Sequence, residues 1–299
     1  MRVLHIDAGR ELRGGQWQAL YLMEGLAAGG HTVTLLSPPG APLSELARRR
    51  GLDVHALGLA AVARLSREAE ITHAHDARAH TLAALAAGSP LVVARRVAFP
   101  PQRNRLSRRK YARARQYIAV SEHVKRVLVA GGVPAEKISV VYDGVPLPAQ
   151  PAQGEWLLAP ATDDPRKGRA LLERAAALAG IEVRFSSNLA DELSRAAVFV
   201  YISQSEGLGS AVLLAMAQGV PVVASRVGGL EEIIEDGRSG LLVENTPEAI
   251  AAALRRLLED RAWARDLAAC ARRRVQERFS AETMTRNTLE VYKRVLTCS

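Results

Sequence analysis

The chain has very few cysteines and few aromatic residues. Of its 299 residues only two are cysteine, Cys270 and Cys298, and neither lies in a C-x-x-C or metal-ligand spacing. This argues against a disulfide framework or a cysteine-based zinc site, and we expect two free thiols in a reducing cytoplasm. Aromatic residues make up 4% of the chain, whereas 48% of it is hydrophobic. Alanine, leucine and valine must therefore form most of the core.

Long hydrophobic runs are absent as well. No apolar segment reaches the ~20 residues that a membrane-spanning helix needs. The first residues, "MRVLHIDAGR", become polar too early for a secretory signal. We therefore expect a cytoplasmic protein, with any membrane association limited to the inner membrane face.

Positive charge, by contrast, is in excess, and the net charge is +9. An acidic partner fits this charge: a nucleic acid, an anionic membrane surface or a phosphorylated substrate. The sequence contains no nucleic-acid-binding motif and no aromatic residues interleaved with the basic ones, so nucleic acid is the least favoured of the three.

Short β-rich segments alternate with longer amphipathic segments along the whole chain. This βαβα order predicts parallel sheets covered by helices on both faces. It is interrupted at 146–154 by "PLPAQPAQG", whose composition is that of a linker. Strands are predicted before the linker at 2–7, 31–37, 53–59, 70–76, 90–96, 116–121 and 137–144, and after it at 155–161, 181–187, 197–203, 220–225 and 240–244.

The linker predicts two doubly wound, Rossmann-like α/β domains of similar size, residues 1–149 and 150–299. The last predicted helix, 281–296, can pack back on the N-terminal domain. Ligands of such sheets bind at the carboxyl ends of the strands. Two facing sheets would therefore bind a ligand in the cleft between them.

The segment "VYISQSEGLGSAVLLAMAQG" combines a strand, a glycine-rich turn and a helix. Gly207 and Gly209 allow the backbone to approach a ligand closely, and the amide groups that open the helix form an anion site. Glu206 beside this anion would accept hydrogen bonds from hydroxyl groups, and this combination suits a sugar phosphate. Taken alone, a glycine-rich turn that merely permits the bend explains these residues equally well.

The longer segment "EGLGSAVLLAMAQGVPVVASRVGGLEEIIEDGRSGLLVE" resembles the retaining glycosyltransferases of family four, which have the two-domain GT-B fold. Three further segments resemble the same family in the same order. They are "RGGQWQALYLMEGLAAGGHTV", its glycine loop; "AVSEHVKRVLVAGGVPAEKISVVYDGV", with Asp143 where the family usually has asparagine; and "PRKGRALLERA", its K-G helix start. The resemblance covers nearly the whole chain and implies an α/β protein of the GT-B fold.

The resemblance implies that Lys167 and Glu206 are the catalytic residues. Lys167 would contact the diphosphate of the donor and stabilise the charge that develops on it, and Glu206 would bind hydroxyl groups of the transferred sugar. Neither a metal ion nor a cofactor is implied, since GT-B enzymes use basic residues and helix dipoles instead, and the chain has no D-x-D triplet. The residues implied to bind the nucleotide-sugar donor are Gly14, Gly15, Arg166, Lys167, Ser186, Glu206, Gly207, Leu208, Gly209, Ser210 and Ala211.

Three features depart from the family pattern. Leu214 occupies the position of a second glutamate that binds the ribose, and its loss is expected to weaken nucleotide binding roughly ten- to a hundredfold. Thr162 occupies the position of a frequent arginine, for which Arg166 is the nearest replacement. The segment "NLADELSRAA" is shorter than the helix–strand unit of relatives, so residues 186–188 are expected to contact the base instead.

The acceptor is expected on the N-terminal domain. In "HAHD", His75 and Asp76 would line the acceptor side; metal binding by the H-x-H spacing and plain structural hydrogen bonding are the alternatives. The segment 94–117 is rich in arginine and has no acidic residue. Arg95 and Arg96 end a strand, so at least one of them should point into the cleft, whereas the other charges are expected to coat a solvated helix.

These observations predict a retaining glycosyltransferase of the hexosyltransferase type. It would move a sugar from a nucleotide sugar to an anionic glycan or lipid-linked acceptor, in the synthesis of cell-envelope polysaccharide or lipopolysaccharide. In the mechanism usually proposed for the family, the leaving phosphate accepts the proton of the acceptor hydroxyl group. The alternative, favoured by the missing carboxylate at Leu214, is a degenerate GT-B protein that binds a glycan or protein partner without turnover.

Overall fold

The structure is a computed structural model that describes residues 1–102, 104–152 and 154–297. Cys270 is a free cysteine, as the sequence predicts, whereas Cys298 lies outside the described residues. Within the described ranges, no helix is both long and apolar enough to cross a membrane.

The secondary structure alternates along the chain as the sequence predicts. The strands are β1 Arg2–Ile6, β2 Thr32–Ser37, β3 Asp53–Ala56, β4 Ile71–Ala74, β5 Leu91–Arg95, β6 Gln116–Ala119, β7 Ile138–Val140, β8 Trp156–Pro160, β9 Val183–Ser186, β10 Ala196–Tyr201, β11 Val222–Ser225 and β12 Leu241–Val243. The helices are α1 Gly14–Ala28, α2 Pro42–Arg49, α3 Leu59–Glu68, α4 Ala77–Ala86, α5 Arg105–Arg113, α6 Glu122–Ala130, α7 Arg169–Ala179, α8 Leu189–Glu192, α9 Ser210–Ala217, α10 Leu230–Ile233, α11 Pro247–Glu259, α12 Arg261–Arg278 and α13 Ala281–Thr297.

The first of two compact units comprises Met1–Asp143 and Ala281–Ser299. Its seven strands form one parallel sheet in the order β3-β2-β1-β4-β5-β6-β7. The central strands β1, β4, β5 and β6 are almost continuously buried, as expected where helices cover both faces of a sheet. The strand order reverses between β1 and β4, so the carboxyl ends of these two strands mark the place where such sheets bind ligands.

The last helix, α13, belongs to the first unit and packs on α1. Its apolar side, with Met284, Val291 and Tyr292, enters the same core as Leu20 and Met23 of α1. The contact joins the two ends of the chain through burial of apolar side chains, each worth about 1.5–3 kcal/mol.

The second unit, Gly144–Ser280, contains a parallel sheet of five strands in the order β12-β11-β10-β8-β9. Between β9 and β10 the chain forms only the single turn α8 and a 3₁₀ turn, Leu193–Arg195. The short connection leaves β9 at the edge of the sheet, which explains the small size of this unit.

The predicted fold class, two doubly wound Rossmann-like domains, is confirmed. Several predicted strands are shorter in the structure, for example the one at 137–144, which is Ile138–Val140. Two of the altered boundaries have a local cause. The strand predicted at 53–59 ends at Ala56, because Gly58 caps helix α3, which begins at Leu59. The helix predicted from Lys167 begins at Arg169, because the left-handed backbone of Gly168 (φ 61°) separates it from a preceding 3₁₀ turn.

Candidate functional site

The glycine-rich turn at 206–209 connects β10 to α9 in the second unit. A second turn, with Gly228 and Gly229, packs directly on its backbone, and the amide of Gly229 donates to the carbonyl oxygen of Glu206 (3.1 Å). A side chain at Gly229 would collide with the carbonyl oxygen of Gly207. The two glycines of "RVGG" are therefore needed for this close packing, which holds Glu206 at the carboxyl end of β10.

Lys167 and Glu206 meet at this turn. The ammonium group of Lys167 forms an ion pair with Oε1 of Glu206, and their side chains are 31% and 11% exposed. Tyr201, the last residue of β10, joins them: its hydroxyl donates to Glu206 Oε1 (2.9 Å) and accepts from Lys167 Nζ (3.0 Å). The two residues implied to be catalytic are thus in contact, although 38 positions lie between them in sequence.

The N-terminus of helix α9 follows the turn. The amides of Val212 and Leu213 donate to the carbonyl oxygen of Gly209 (3.0 and 3.2 Å), so the amides of Ser210 and Ala211 have no acceptor within the helix. Such amides and the helix dipole favour a bound anion. Among the residues implied to bind the donor, Leu208 is buried and contributes only backbone.

Leu214 lies on the more open side of α9. It is half-buried, whereas its neighbours Leu213 and Ala215 are completely buried, and it lies one turn after Ser210, which is also half-buried. The position of the missing carboxylate therefore lies on the same side of the helix as the side chain of Ser210.

We predict that Leu214→Glu raises nucleotide affinity about tenfold or more with little loss of stability, because a partly wet carboxylate can bind hydroxyl groups without a large desolvation cost. Isothermal titration with nucleoside diphosphates and thermal unfolding would measure the two effects. Leu213→Glu is the matched control and should unfold the protein. A loss of several kcal/mol in Leu214→Glu as well would show that position 214 belongs to the core.

The other residues implied to bind the donor in this unit lie at the edge of the site. Arg166 is exposed and forms two hydrogen bonds with Asp164 (2.9 and 2.7 Å), so its guanidinium group is directed to that carboxylate. The pairing lowers the pKa of Asp164 to about 2. Thr162 lies beside Lys167 in the lining of a small cavity. Ser186 is buried at the end of β9, where its hydroxyl accepts from the amide of Asn188 (3.0 Å).

Three buried histidines, His5, His73 and His75, form a cluster in the first unit, in which His75 is hydrogen-bonded to His5 and His73 to Tyr292. Arg96 Nη1 lies 3.4 Å from His75 Nδ1, His75 Nε2 lies 2.8 Å from His5 Nδ1, and His73 Nδ1 lies 2.6 Å from the Tyr292 hydroxyl. Arginine can only donate, so His75 accepts at Nδ1 and donates from Nε2 to His5. Burial lowers the pKa of all three histidines well below the usual value.

Ligand atoms of these three histidines lie within 4.8 Å of one another, and Nε2 of His5 and of His73 has no hydrogen-bond partner. Two observations nevertheless favour structural hydrogen bonding over metal binding. Nε2 of His75 is used as the donor to His5, and the positive charge of Arg96 faces the cluster, where it would repel a cation.

Arg95, the last residue of β5, and Arg96, which follows it, have different partners. Arg96 pairs with Asp143 (Nε to Oδ1, 3.1 Å), and both side chains are largely buried, with 14% and 8% exposed. Burial raises the pKa of Asp143, and Arg96 opposes this shift. A side chain at Gly15 would touch Cδ of Arg96, so Arg96 lies beside the predicted glycine loop. Arg95 donates to the carbonyl oxygen of Phe99 in the loop that follows.

Asp76 is the N-cap of helix α4. Its Oδ1 accepts from the amides of Arg78 (2.8 Å) and Ala79 (2.9 Å), and its Oδ2 accepts from the amide of Ala8 (2.6 Å). Both carboxylate oxygens thus have backbone partners, as in the structural interpretation of "HAHD".

The structure shows two polar residues near the glycine loop, Asp7 and Gln16, that the sequence did not indicate as candidates. Asp7 follows β1 and is fully buried, and Gln16 in the first turn of α1 donates to it (3.1 and 3.2 Å). Burial raises the pKa of Asp7, whereas its hydrogen bond from the Gly9 amide lowers it. A carboxylate at the carboxyl end of the first strand was the available signal. Gly14 is the first residue of α1.

Two family models match the chain. "Glycosyltransferase Family 4" matches residues 12–148 and "Glycosyl transferases group 1" matches residues 124–260. Together they cover both units and include Lys167 and Glu206.

Curated relatives and solved structures also resemble this chain. The chain is 44% identical over 110 residues to alpha-maltose-1-phosphate synthase of Mycolicibacterium smegmatis, a match that covers 34% of this chain and 28% of the relative. It is 45% identical over 109 residues to D-inositol 3-phosphate glycosyltransferase of a Nocardioides species, covering 35% and 24%. These matches therefore span only about a quarter of the relatives' length. The Anabaena protein Alr3699/HepE, crystallised with UDP and glucose, shares the fold with a TM-score of 0.86, 17% identity and coverage of 98% and 99%.

Proposed function

Because the chain belongs to the family-four glycosyltransferases of the GT-B fold, we propose that it transfers a sugar from a nucleoside-diphosphate sugar to an acceptor hydroxyl group. We further propose that the configuration at the anomeric carbon is retained and that no metal ion takes part. The acceptor is an anionic glycan or a lipid-linked glycan of the cell envelope.

The observation that carries this proposal is the convergence of Lys167 and Glu206 at the N-terminus of α9. A cation, a carboxylate and backbone amides without an acceptor inside their helix match the three parts of a sugar diphosphate: charge, hydroxyl groups and phosphate oxygens. Lys167 and the amides of Ser210 and Ala211 would bind the diphosphate, and Glu206 would bind hydroxyl groups of the sugar.

The reaction requires the protein to stabilise negative charge. The bond between the anomeric carbon and the phosphate oxygen breaks, and its electron pair stays on the phosphate. The acceptor oxygen forms the new bond to the anomeric carbon, and its proton goes to the leaving phosphate. Lys167 would neutralise this charge in the transition state, and such charge stabilisation is usually the largest single contribution to catalysis.

Thermal unfolding with a panel of ligands tests the proposal. UDP-glucose, UDP-N-acetylglucosamine, GDP-mannose and ADP-glucose, each at millimolar concentration, should raise the melting temperature selectively, because a ligand at a hundred times its dissociation constant stabilises by about 2.7 kcal/mol. The donor that binds should then be turned over equally well in EDTA. Binding without turnover would support the degenerate binding protein instead, and no shift with any donor would reject the transferase.

An anionic acceptor at a membrane surface is the partner that we propose for helix α5. The side chains of this helix that face outward are Arg105, Leu106, Arg108, Arg109, Ala112 and Arg113. Arg105, Arg108 and Arg109 are the exposed arginines of its first two turns. Lys110 and Tyr111 turn inward, and Lys110 donates to the carbonyl oxygen of Ala77 (2.8 Å). Phe99 and Leu106 are 56% and 78% exposed, so apolar side chains accompany the charges, as in proteins that bind lipid surfaces.

We predict that Arg105→Ala with Arg109→Ala weakens binding to anionic vesicles about 30-fold, since each basic residue near such a surface contributes about 1 kcal/mol. Co-sedimentation with vesicles of phosphatidylglycerol and phosphatidylcholine, at low and high salt, measures this. Arg261→Ala with Arg265→Ala is the matched control, an exposed pair at the same spacing on α12. Binding that ignores lipid charge and salt, or that is unchanged in the α5 variant, would reject the membrane contact.

A further inference from the structure

Tyr201 is the third member of the cluster formed by Lys167 and Glu206. All three polar groups contact one another: the ammonium with the carboxylate, the hydroxyl with the carboxylate (2.9 Å) and the ammonium with the hydroxyl (3.0 Å). In the part of the chain that the structure describes, Lys167 and Tyr201 are the hydrogen-bond partners of the Glu206 carboxylate.

In the structure, the positive charge of Lys167 is neutralised by the negative charge of Glu206. A bound diphosphate competes with Glu206 for the positive charge of Lys167, and it therefore draws the ammonium group away from the carboxylate. Lys167 is the more exposed member of the pair, at 31% against 11% for Glu206, so the ligand meets the ammonium first. Its departure would leave a largely buried carboxylate without its cation, which is costly unless another donor remains.

The hydroxyl group of Tyr201 is the donor that remains. Tyr201 ends β10, is only 9% exposed and has its ring stacked on Phe199, so it cannot follow the ligand. Burial and the nearby Glu206 raise the pKa of Tyr201 well above its usual value, which keeps the hydroxyl protonated.

We propose that Tyr201 is a positioning residue of the donor site: its hydroxyl holds the Glu206 carboxylate in place when the ammonium of Lys167 moves to the diphosphate. The inference rests on the proposed function. On this proposal, the Lys167 ammonium changes its partner when the donor binds, from the Glu206 carboxylate to the phosphate. The Tyr201 hydroxyl meanwhile keeps the carboxylate directed at the sugar.

Tyr201→Phe isolates the hydroxyl, because the ring and its contact with the Lys167 ammonium (5.3 Å to the ring centroid) are kept. With the nucleotide sugar of the panel that the wild type turns over, kcat should fall about 10- to 100-fold, as expected for a hydrogen bond to a charged group. The KM for the donor should change less than threefold, since Lys167 still binds the diphosphate. Tyr117→Phe, which removes a buried hydroxyl in the first unit that donates to the carbonyl oxygen of Tyr111, is the control and should leave both constants unchanged.

A double-mutant cycle with Glu206→Gln distinguishes positioning from a general structural effect. If Tyr201 acts through Glu206, adding Tyr201→Phe to Glu206→Gln lowers kcat by less than twofold further. Independent losses that multiply, or a Tyr201→Phe enzyme with wild-type kcat, would overturn the inference and leave the transferase intact. A wild type that turns over none of the four donors would instead reject the proposed function, and the role of Tyr201 with it.

Discussion

Replacing Lys167 by alanine is expected to lower sugar transfer at least a hundredfold and to leave the melting temperature nearly unchanged. The loss follows from the position of the ammonium group: removing one preorganised donor of a charge-stabilising site costs about 2.7–4 kcal/mol of transition-state stabilisation. Stability should be preserved because Glu206 keeps the hydrogen bond from Tyr201 (2.9 Å) and because Lys167 is 31% exposed. Steady-state kinetics with the donor identified by thermal unfolding, together with a melting curve, measures both.

Lys125→Ala is the matched control for this experiment. Lys125 lies in α6 of the first unit, its side chain is 34% exposed, and it also pairs with a glutamate, Glu122 (3.8 Å). It should retain wild-type turnover. Near-normal turnover in Lys167→Ala would remove Lys167 from the mechanism, whereas a large fall in its melting temperature would show that the ion pair is mainly structural.

The second large effect is a loss of stability at acid pH. We expect the first unit to lose stability between pH 7.5 and pH 5.5, by about 1.4 kcal/mol for each buried histidine whose folded pKa lies below this range, less an offset from two buried carboxyl groups. Four buried histidines cause this loss: His5, His73, His75 and His80. Burial lowers the pKa of each, to about 3 for His5 and His80.

The direction follows from where the protons bind. Above pH 6.5 these histidines are neutral in both states and have no effect. Below pH 6.5 these histidines are protonated in the unfolded chain but remain neutral in the folded protein. Each of them then lowers the free energy of unfolding by about 1.4 kcal/mol per pH unit, until the pH reaches its pKa in the folded state. Asp7 and Asp143 act in the opposite sense and offset part of the loss, because burial raises their pKa and the folded protein binds their protons first.

Urea unfolding at several pH values, followed by a probe in the first unit, measures the number of protons taken up. His80→Gln should reduce that number by about one, because it removes one of the four groups. Stability that stays constant from pH 7.5 to 5.5 is the outcome that contradicts this account.

Much of the fold was predictable because its signals are local. Alternation of short apolar strands and amphipathic helices predicts parallel sheets without knowledge of any contact. The boundary of helix α7 failed at Gly168, whose left-handed backbone (φ 61°) interrupts the helical pattern, because composition does not encode the φ value of a turn.

The candidate site was predicted only in part. Motif spacing placed Lys167 and Glu206 in the donor site, and their contact agrees with that placement, although their roles remain predictions. Arg166 and Asp76 were selected by the same reasoning, yet their charged groups are bonded to Asp164 and to backbone amides. Sequence spacing gives the position of a charge along the chain but not the partner that its side chain finds.

By itself, the sequence determined the order of the elements, the two parallel sheets, and a glycine-rich turn that brings Glu206 to the end of a strand. The tertiary structure decided which groups meet there. The pairing of β1 with β4 places His5 opposite His73 and thereby builds the buried histidine cluster. Tyr201 joins Lys167 and Glu206 only because β10 lies beside β8, which leads to the Lys167 turn. Hydrogen bonds and pKa values depend on distance and burial in three dimensions, and no local pattern of residues specifies either.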